Sequence, residues 1–281
     1  MISVLVPTRN EEQDLPDCLR SVAWSDDVHV YDSYSDDRTA EIAAQFGAKL
    51  IRRPDQLPGI AFGGNEAEHR TWALRNIPFR YPWVFHLDAD ERVTPGLRAH
   101  LESAARNPGL NRAFRLQRRD FLFDTWLRHV QVSPYYIRLF RPECTRYERL
   151  INPLTIVDGA VGQLGGHLDH FPFSKGIAHW VAKHNAYSTL EARQIMANRN
   201  HSAHAARWQE LLSADFNERR AAQKELFYRL PARPLLKFLL LYFAKLGFLD
   251  GRAGLTYARM QSMYEYLIVL KTRELEAARP P

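Results

Sequence analysis

The sequence predicts an α/β protein with a mostly parallel sheet at its start, a mixed region in the middle and a helical C-terminal part. Three observations carry this. Short apolar, β-branched runs alternate with helical periodicities as far as Asp88. After residue 111 the chain mixes aromatic and branched residues with arginine in rough alternation, as half-exposed strands do. From Ser174 onward apolar residues return at three- and four-residue steps.

Taken in order, Ile2 to Val6 reads as a first strand stopped by Pro7, and PTRNEE as the loop after it. Leu15, Leu19, Val22 and Ala23 recur at helical spacing. Val28 to Tyr31 gives a second strand, and DSYSDDRT leads into a helix through Ala40, Ile42, Ala43 and Phe46, with Gly47 as its stop. Lys49 to Arg52 is a third strand. Residues 53–63 form a Pro/Gly-containing loop, and NEAEHRTWALRN a helix that delivers the chain to the apolar run Trp83, Val84, Phe85 and Leu87. Right-handed crossovers then gather the loops 7–12, 32–39 and 88–92 on one sheet edge, where open α/β sheets bind ligands.

That fourth strand ends in two carboxylates one residue apart. Asp88 and Asp90 can share a divalent cation, because Mg²⁺ is held by one or two carboxylates together with substrate phosphates. The other reading is an acidic turn capping the helix that begins near Thr94-Pro95.

With 281 residues and 46% apolar composition, the chain can bury a large core. Cys18 and Cys144 lie far apart without C-x-x-C spacing, which disfavours zinc ribbons and disulfide scaffolds. No leader precedes ISVLVPT, so a cytoplasmic location is expected. Charge is uneven within the net of +6. Residues 1–111 hold 12 Lys/Arg against 17 Asp/Glu, and residues 112–281 hold 26 against 15, nets of −5 and +11. The basic part calls for an anionic neighbour: a nucleic acid, a phospholipid surface or a phosphorylated acceptor.

PTRNEE after strand one, DSYSDDRT after strand two, HLDADER after strand four and a later RLFR together resemble the inverting glycosyltransferases of family 2. The branch resembled is that of the lipopolysaccharide-core glucosyltransferases. The resemblance implies a GT-A fold: a Rossmann-like nucleotide-binding half with a mixed sheet, plus the helical C-terminal region. A dinucleotide site is disfavoured, because PTRNEE contains no glycine where G-x-G-x-x-G would be needed.

It implies a nucleotide-sugar-binding α/β half over 1–111, an acceptor-facing part of the same domain over 112–173, and a helical region over 174–281 that associates with membrane. By position, Pro7, Thr8, Arg9, Glu11, Asp32, Arg70 and Asp88 would bind the nucleotide sugar. Asp88 and Asp90 would hold a metal, Mg²⁺ or Mn²⁺, with His170 completing the site and His167 orienting a neighbour. Asp90 is also expected to be catalytic. Arg119, Arg138 and Arg141 could face acceptor phosphate, and Arg115 and Arg118 belong to the same arginine-rich strands.

Two departures stand out. Tyr34 occupies a position where the family usually has glycine, so the turn is more open, or takes positive φ at a cost, or the ring stacks on something. The family branch also carries a His-Glu pair before its VDG stretch, the carboxylate of which looks like the general base, and this chain has Asn152-Pro153 there. Glu148 and Asp158 are the nearest substitutes; otherwise the acceptor is already an anion.

Leu235 to Leu249 is strongly apolar, carries Lys237 and Lys245, and is short of the roughly 20 residues of a membrane span. It reads as an interfacial helix on anionic lipid, or as a core helix packed on Tyr257, Met260, Met263, Tyr264 and Leu267. The expected partners are a nucleotide-sugar donor, a glycolipid or lipid-linked saccharide acceptor and the inner face of the cytoplasmic membrane. A catalytically inactive membrane-associated scaffold and a nucleic-acid-binding protein are the alternatives. The second lacks a recognised binding module.

Overall fold

The computed structural model describes residues 1–54, 66–148, 154–200, 223, 226–228 and 230–278. Two compact units are present, Met1–Trp126 with Val132–Gly176, and Leu127–Gln131 with Ile177–Pro281.

The first unit opens with β1 (Ser3–Thr8), α1 (Leu15–Ser21), β2 (Val28–Asp32), α2 (Thr39–Gln45), β3 (Lys49–Arg52), α3 (Glu66–Asn76) and β4 (Val84–His86). There follow β5 (Glu91–Val93), α4 (Pro95–Arg106), β6 (Asn111–Leu122), β7 (Thr125–Trp126), β8 (Tyr135–Phe140), β9 (Thr145–Glu148), β10 (Leu154–Val157) and β11 (Ala160–His170). Among the described residues, one nine-stranded sheet runs in the order β3-β2-β1-β4-β8-β6-β11-β5, with β7 paired to β6 and a separate β9–β10 pair. The first four strands are parallel. β8 is antiparallel to both β4 and β6, β11 is parallel to β6, and β5 is antiparallel to β11.

Strand alternation explains the layers. Ile2, Val4 and Val6 join Leu15, Leu19, Leu97 and Leu101 of α1 and α4 in one buried cluster. Leu5 turns to the other face and packs with Tyr31, Val84, Phe140 and residues of α3. The first strand does not stop at Pro7 but continues to Thr8. β4 pairs with β1 only as far as Leu5, so the missing N–H of Pro7 falls where β1 has a single neighbour.

Two local signals act as the sequence suggested. Thr94 caps α4 by accepting from Leu97 N–H at 3.2 Å, and Gly47 ends α2 at φ +68°. β5 was not expected. It follows β4 by four residues yet pairs at the opposite end of the sheet path, so the Asp88–Asp90 segment links the two halves.

The second unit contains α5 (Gly176–Asn200) from its second residue onward, α6 (Arg233–Leu239) and α7 (Gly251–Ala277). The expected single helix over Leu235 to Leu249 is instead three pieces: α6, a π-helical turn Leu240–Ala244 and a 3-10 turn Gly247–Asp250, broken at Leu246 with φ +57°. Asp250 fixes the segment 127–131 to this unit. Its carboxylate accepts from the backbone N–H of His129 and Val130 at 2.9 and 2.8 Å, and lies 2.7 Å from His129 Nδ1. Among the described residues no helix is long and apolar enough to cross a membrane.

Candidate active site

The loops after β1 and β2 are laced together. Asn10 N–H donates to Ser35 Oγ at 2.8 Å, Asp36 N–H to Asn10 Oδ1 at 3.0 Å, Glu11 N–H to Thr39 Oγ1 at 2.8 Å and Glu12 N–H to Asp37 Oδ2 at 3.0 Å. Buried Asp32 accepts from Thr8 Oγ1 at 3.0 Å and from Ser35 N–H at 3.0 Å. Its carboxylate organises the loop pair, and Thr8 serves the same purpose. Tyr34 takes φ +57°, and the Arg53 guanidinium lies 5.0 Å from its ring centroid. The turn therefore keeps the left-handed geometry that glycine would adopt freely, and tyrosine adopts it while stacked on a cation.

At the end of β4 the two aspartates part company. Asp88 Oδ2 lies 2.7 Å from Arg138 Nη2, and its Oδ1 lies 3.2 Å from His86 Nε2 and 3.9 Å from Arg70 Nη2. Arg138 also reaches Glu91 Oε1 at 2.6 Å, and Glu91, with no solvent exposure, accepts Asp88 N–H at 2.9 Å through Oε2. Burial pushes the Asp88 carboxyl up, but Arg138, the His86 hydrogen bond and Arg70 outweigh it and hold Asp88 well below the usual carboxylate range. At Glu91 burial prevails over Arg138, and its carboxyl is raised. The antiparallel register, Phe85 opposite Leu139, puts Arg138 beside the end of β4.

Asp90 faces a different partner. Its Oδ2 lies 3.3 Å from His170 Nε2, and the other ring nitrogen, Nδ1, lies 2.5 Å from Asp120 Oδ1. Burial alone would lower the His170 pKa. Asp90 and the bonds to Asp120 and Asp90 reverse that and push it up to about 9. A register irregularity between Gln163 and His167 sets His170 opposite Asp120. Gly166 makes it feasible: φ is +78°, and a Cβ there would lie 3.1 Å from the Leu97 Cα.

Other predicted residues fall into place around these two clusters or away from them. Glu11 pairs with Lys175 at 2.7 Å; burial raises its carboxyl to about 7 against the pull of Lys175. Pro7 is half-buried at the end of β1, and Arg9 is exposed on the first loop. Arg70 also stacks over Tyr147, with 5.7 Å to the centroid. The arginines expected to face phosphate have protein partners instead: Arg119 binds Asp169 at 2.6 Å, Arg138 is buried as described, and Arg141 lies over Trp83 and 3.6 Å from Glu143. Glu148 and Asp158 sit exposed at the two-stranded β9–β10 sheet, both paired with Arg146. The Asn152-Pro153 position lies outside the described residues.

Four residues that complete the clusters were not singled out from sequence: His86, Glu91, Asp120 and Tyr147, the hydroxyl of which lies 2.8 Å from His86 Nδ1. For Glu91 a signal existed. The alternation Glu91-Arg92-Val93 directly after the aspartates is a strand pattern that buries the first and third residues. Asp120 had none, because its partner lies 50 residues away.

A parallel half joined to a mixed half, with carboxylates on the segment joining them, is the GT-A architecture. The chain belongs to glycosyl transferase family 2, the family model matching residues 3–163. Over 287 residues it is 26% identical to the lipopolysaccharide core biosynthesis glycosyltransferase LpsC of Rhizobium meliloti (strain 1021), covering 99% of this chain and 95% of that protein. It is 24% identical to an uncharacterized glycosyltransferase of Rickettsia typhi, covering 98% and 87%.

Among solved structures, glucosyl-3-phosphoglycerate synthase from Mycobacterium tuberculosis, in complex with Mn²⁺, UDP and glucosyl-3-phosphoglycerate, is 23% identical with a TM-score of 0.35. The match covers 42% of this chain and 44% of that one. TarS 1-349 of S. aureus is 15% identical with a TM-score of 0.41, covering 94% and 90%.

The Arg138 pairing yields a stability prediction. Arg138→Ala leaves Glu91 buried with its closest cation gone, a change that costs about 3–5 kcal/mol. Denaturant titration of the variant is expected to show that loss, and a loss below about 1 kcal/mol would contradict the pairing as drawn.

Proposed function

We propose that this glycosyltransferase moves a sugar from a UDP-linked donor, with inversion, to a cell-envelope glycan or lipid-linked acceptor such as lipopolysaccharide core, and that it uses Mg²⁺ or Mn²⁺. The observation that carries the metal reading is the convergence of Asp90 Oδ2 and His170 Nε2, 3.3 Å apart. A carboxylate oxygen and an imidazole nitrogen suit Mn²⁺, and two protein ligands completed by substrate phosphates are ordinary for such ions. Among the described residues, no group of three His, Cys, Asp or Glu side chains is arranged to hold an ion. Asp88, engaged by Arg138, takes the ribose side of the donor in this reading, and the laced loops 7–12 and 32–39 take the nucleoside. A divalent ion at Asp90 and His170 would neutralise charge on the departing diphosphate. Full-length alignment with an envelope-glycan enzyme supports the acceptor class.

Transfer or hydrolysis of UDP-sugars, followed as UDP release, is expected to require Mn²⁺ or Mg²⁺ and to fall at least 100-fold in Asp90→Asn and His170→Ala. Wild-type rates in both variants would sink the metal reading. Because His170 carries a proton up to about pH 9 without metal, ion binding must displace it. Apparent Mn²⁺ affinity is therefore expected to rise from pH 6.5 to 8.5, and a flat profile would count against His170 as a ligand.

The acceptor proton would go to Glu148 or Asp158, both exposed carboxylates paired with Arg146. One of Glu148→Gln and Asp158→Asn should lower kcat with KM for donor unchanged. Full activity in both would favour an anionic acceptor that needs no base.

Peripheral attachment to anionic membrane is proposed for the second unit. Leu235, Phe243 and Leu249 are each more than half exposed in the broken segment that carries Lys237 and Lys245. Apolar tips with flanking lysines suit the headgroup layer. Co-sedimentation with phosphatidylglycerol vesicles should be salt-sensitive and weaker in Leu235→Ser with Phe243→Ser. Equal binding to neutral vesicles at every salt concentration would contradict it.

A further inference from the structure

Asp120 is a buried carboxylate, 3% exposed, on the same sheet face as the catalytic cluster. It is too deep to serve as an open ligand. Its Oδ1 lies 2.5 Å from His170 Nδ1, and β6 and β11 hold the two residues in direct register. Arg118 Nε stands 3.9 Å from the same oxygen and compensates its charge, while Arg118 Nη1 reaches Glu91 at 3.4 Å.

A neutral imidazole can protonate either ring nitrogen, and only the Nδ1–H form leaves the Nε2 lone pair available to an ion held beside Asp90. A carboxylate accepting from Nδ1–H selects that form and fixes the ring plane. The ring stands between two carboxylates, Asp120 Oδ1 2.5 Å from Nδ1 and Asp90 Oδ2 3.3 Å from Nε2, so an ion arriving beside Asp90 replaces the Nε2 proton while Asp120 keeps the one on Nδ1. Through Arg118 and Glu91 it joins the network that orients Asp88, so both sides of the site share one buried charge system.

We propose that Asp120 is the positioning residue of the metal site, holding His170 in the tautomer and orientation that coordinate a divalent ion through Nε2. This rests on the metal reading above. A merely structural Asp120 would change stability and leave metal affinity alone.

The test uses the full chain as wild type, Asp120→Asn and Asp120→Ala. Mn²⁺ affinity is read from the electron paramagnetic resonance signal of free Mn²⁺ with UDP present, alongside melting temperature and metal-free UDP binding. The expected result is a loss of about 10–100-fold in Mn²⁺ affinity for Asp120→Ala and a smaller loss for Asp120→Asn, which can still accept from Nδ1–H. Metal-free UDP binding should fall far less than Mn²⁺ affinity does.

Wild-type Mn²⁺ affinity in Asp120→Ala overturns the inference while leaving the metal reading intact. Failure of the wild type itself to bind Mn²⁺ overturns both. Should the variants not fold, nitrogen-15 spectra of histidine-labelled wild type with Mg²⁺ and UDP decide. A proton on His170 Nδ1 with the ion on Nε2 is expected, and the reverse pattern overturns the inference.

Discussion

The buried pair of Glu91 and Arg138 is the constraint on which the site depends. Glu91 has no solvent exposure, and its two oxygens take Arg138 on one side and the Asp88 backbone N–H on the other. Arg138 in turn spans to the Asp88 side chain. A lone buried carboxylate would be costly; this one is stabilised by two arginines from the antiparallel pair β6 and β8. The consequence is geometric. The segment carrying Asp88 and Asp90 is fastened at the junction of the parallel and antiparallel strands, where Asp88 is committed to arginine and Asp90 turns to His170.

The same pairing changes the meaning of the charge asymmetry. The C-terminal part of the sequence is strongly basic, and its arginines look available for an anionic partner. Arg118 and Arg138 are instead engaged with Glu91 and Asp88 inside the first unit. Part of the positive excess is therefore internal compensation for acidic residues nearer the N-terminus. What remains for a lipid or phosphate surface is smaller than the net of +11 over residues 112–281 suggests.

Local patterns were legible in the sequence where a short window contained all the physics. The alternation of β-branched runs and helical periods through Asp88 foretold the parallel strands and their helices, and the Thr94-Pro95 start of α4 could be read from its cap. The motifs also identified the family. What escaped was non-local or broke a local expectation without warning. Asp120 meets His170, and Arg138 meets Asp88, each across 50 residues, so only strand register brings them together. β5 is three residues long, so the alternation Glu91-Arg92-Val93, its one signal, is shorter than the runs from which a strand is normally read. The apolar stretch from Leu235 looked continuous, yet the break falls at Leu246, a leucine in left-handed conformation that no propensity would pick. Tyr34 shows the converse: the position was legible as anomalous, and the structure supplies the stacking cation.

Under the proposed function an ion would bind between Asp90 and His170 and not between Asp88 and Asp90. The most direct measurement is anomalous diffraction at the manganese edge from crystals grown with Mn²⁺ and UDP. The expected result is a single strong peak in coordination contact with Asp90 and His170, with Asp88 still on Arg138. A peak shared by Asp88 and Asp90, with Arg138 displaced, would contradict it.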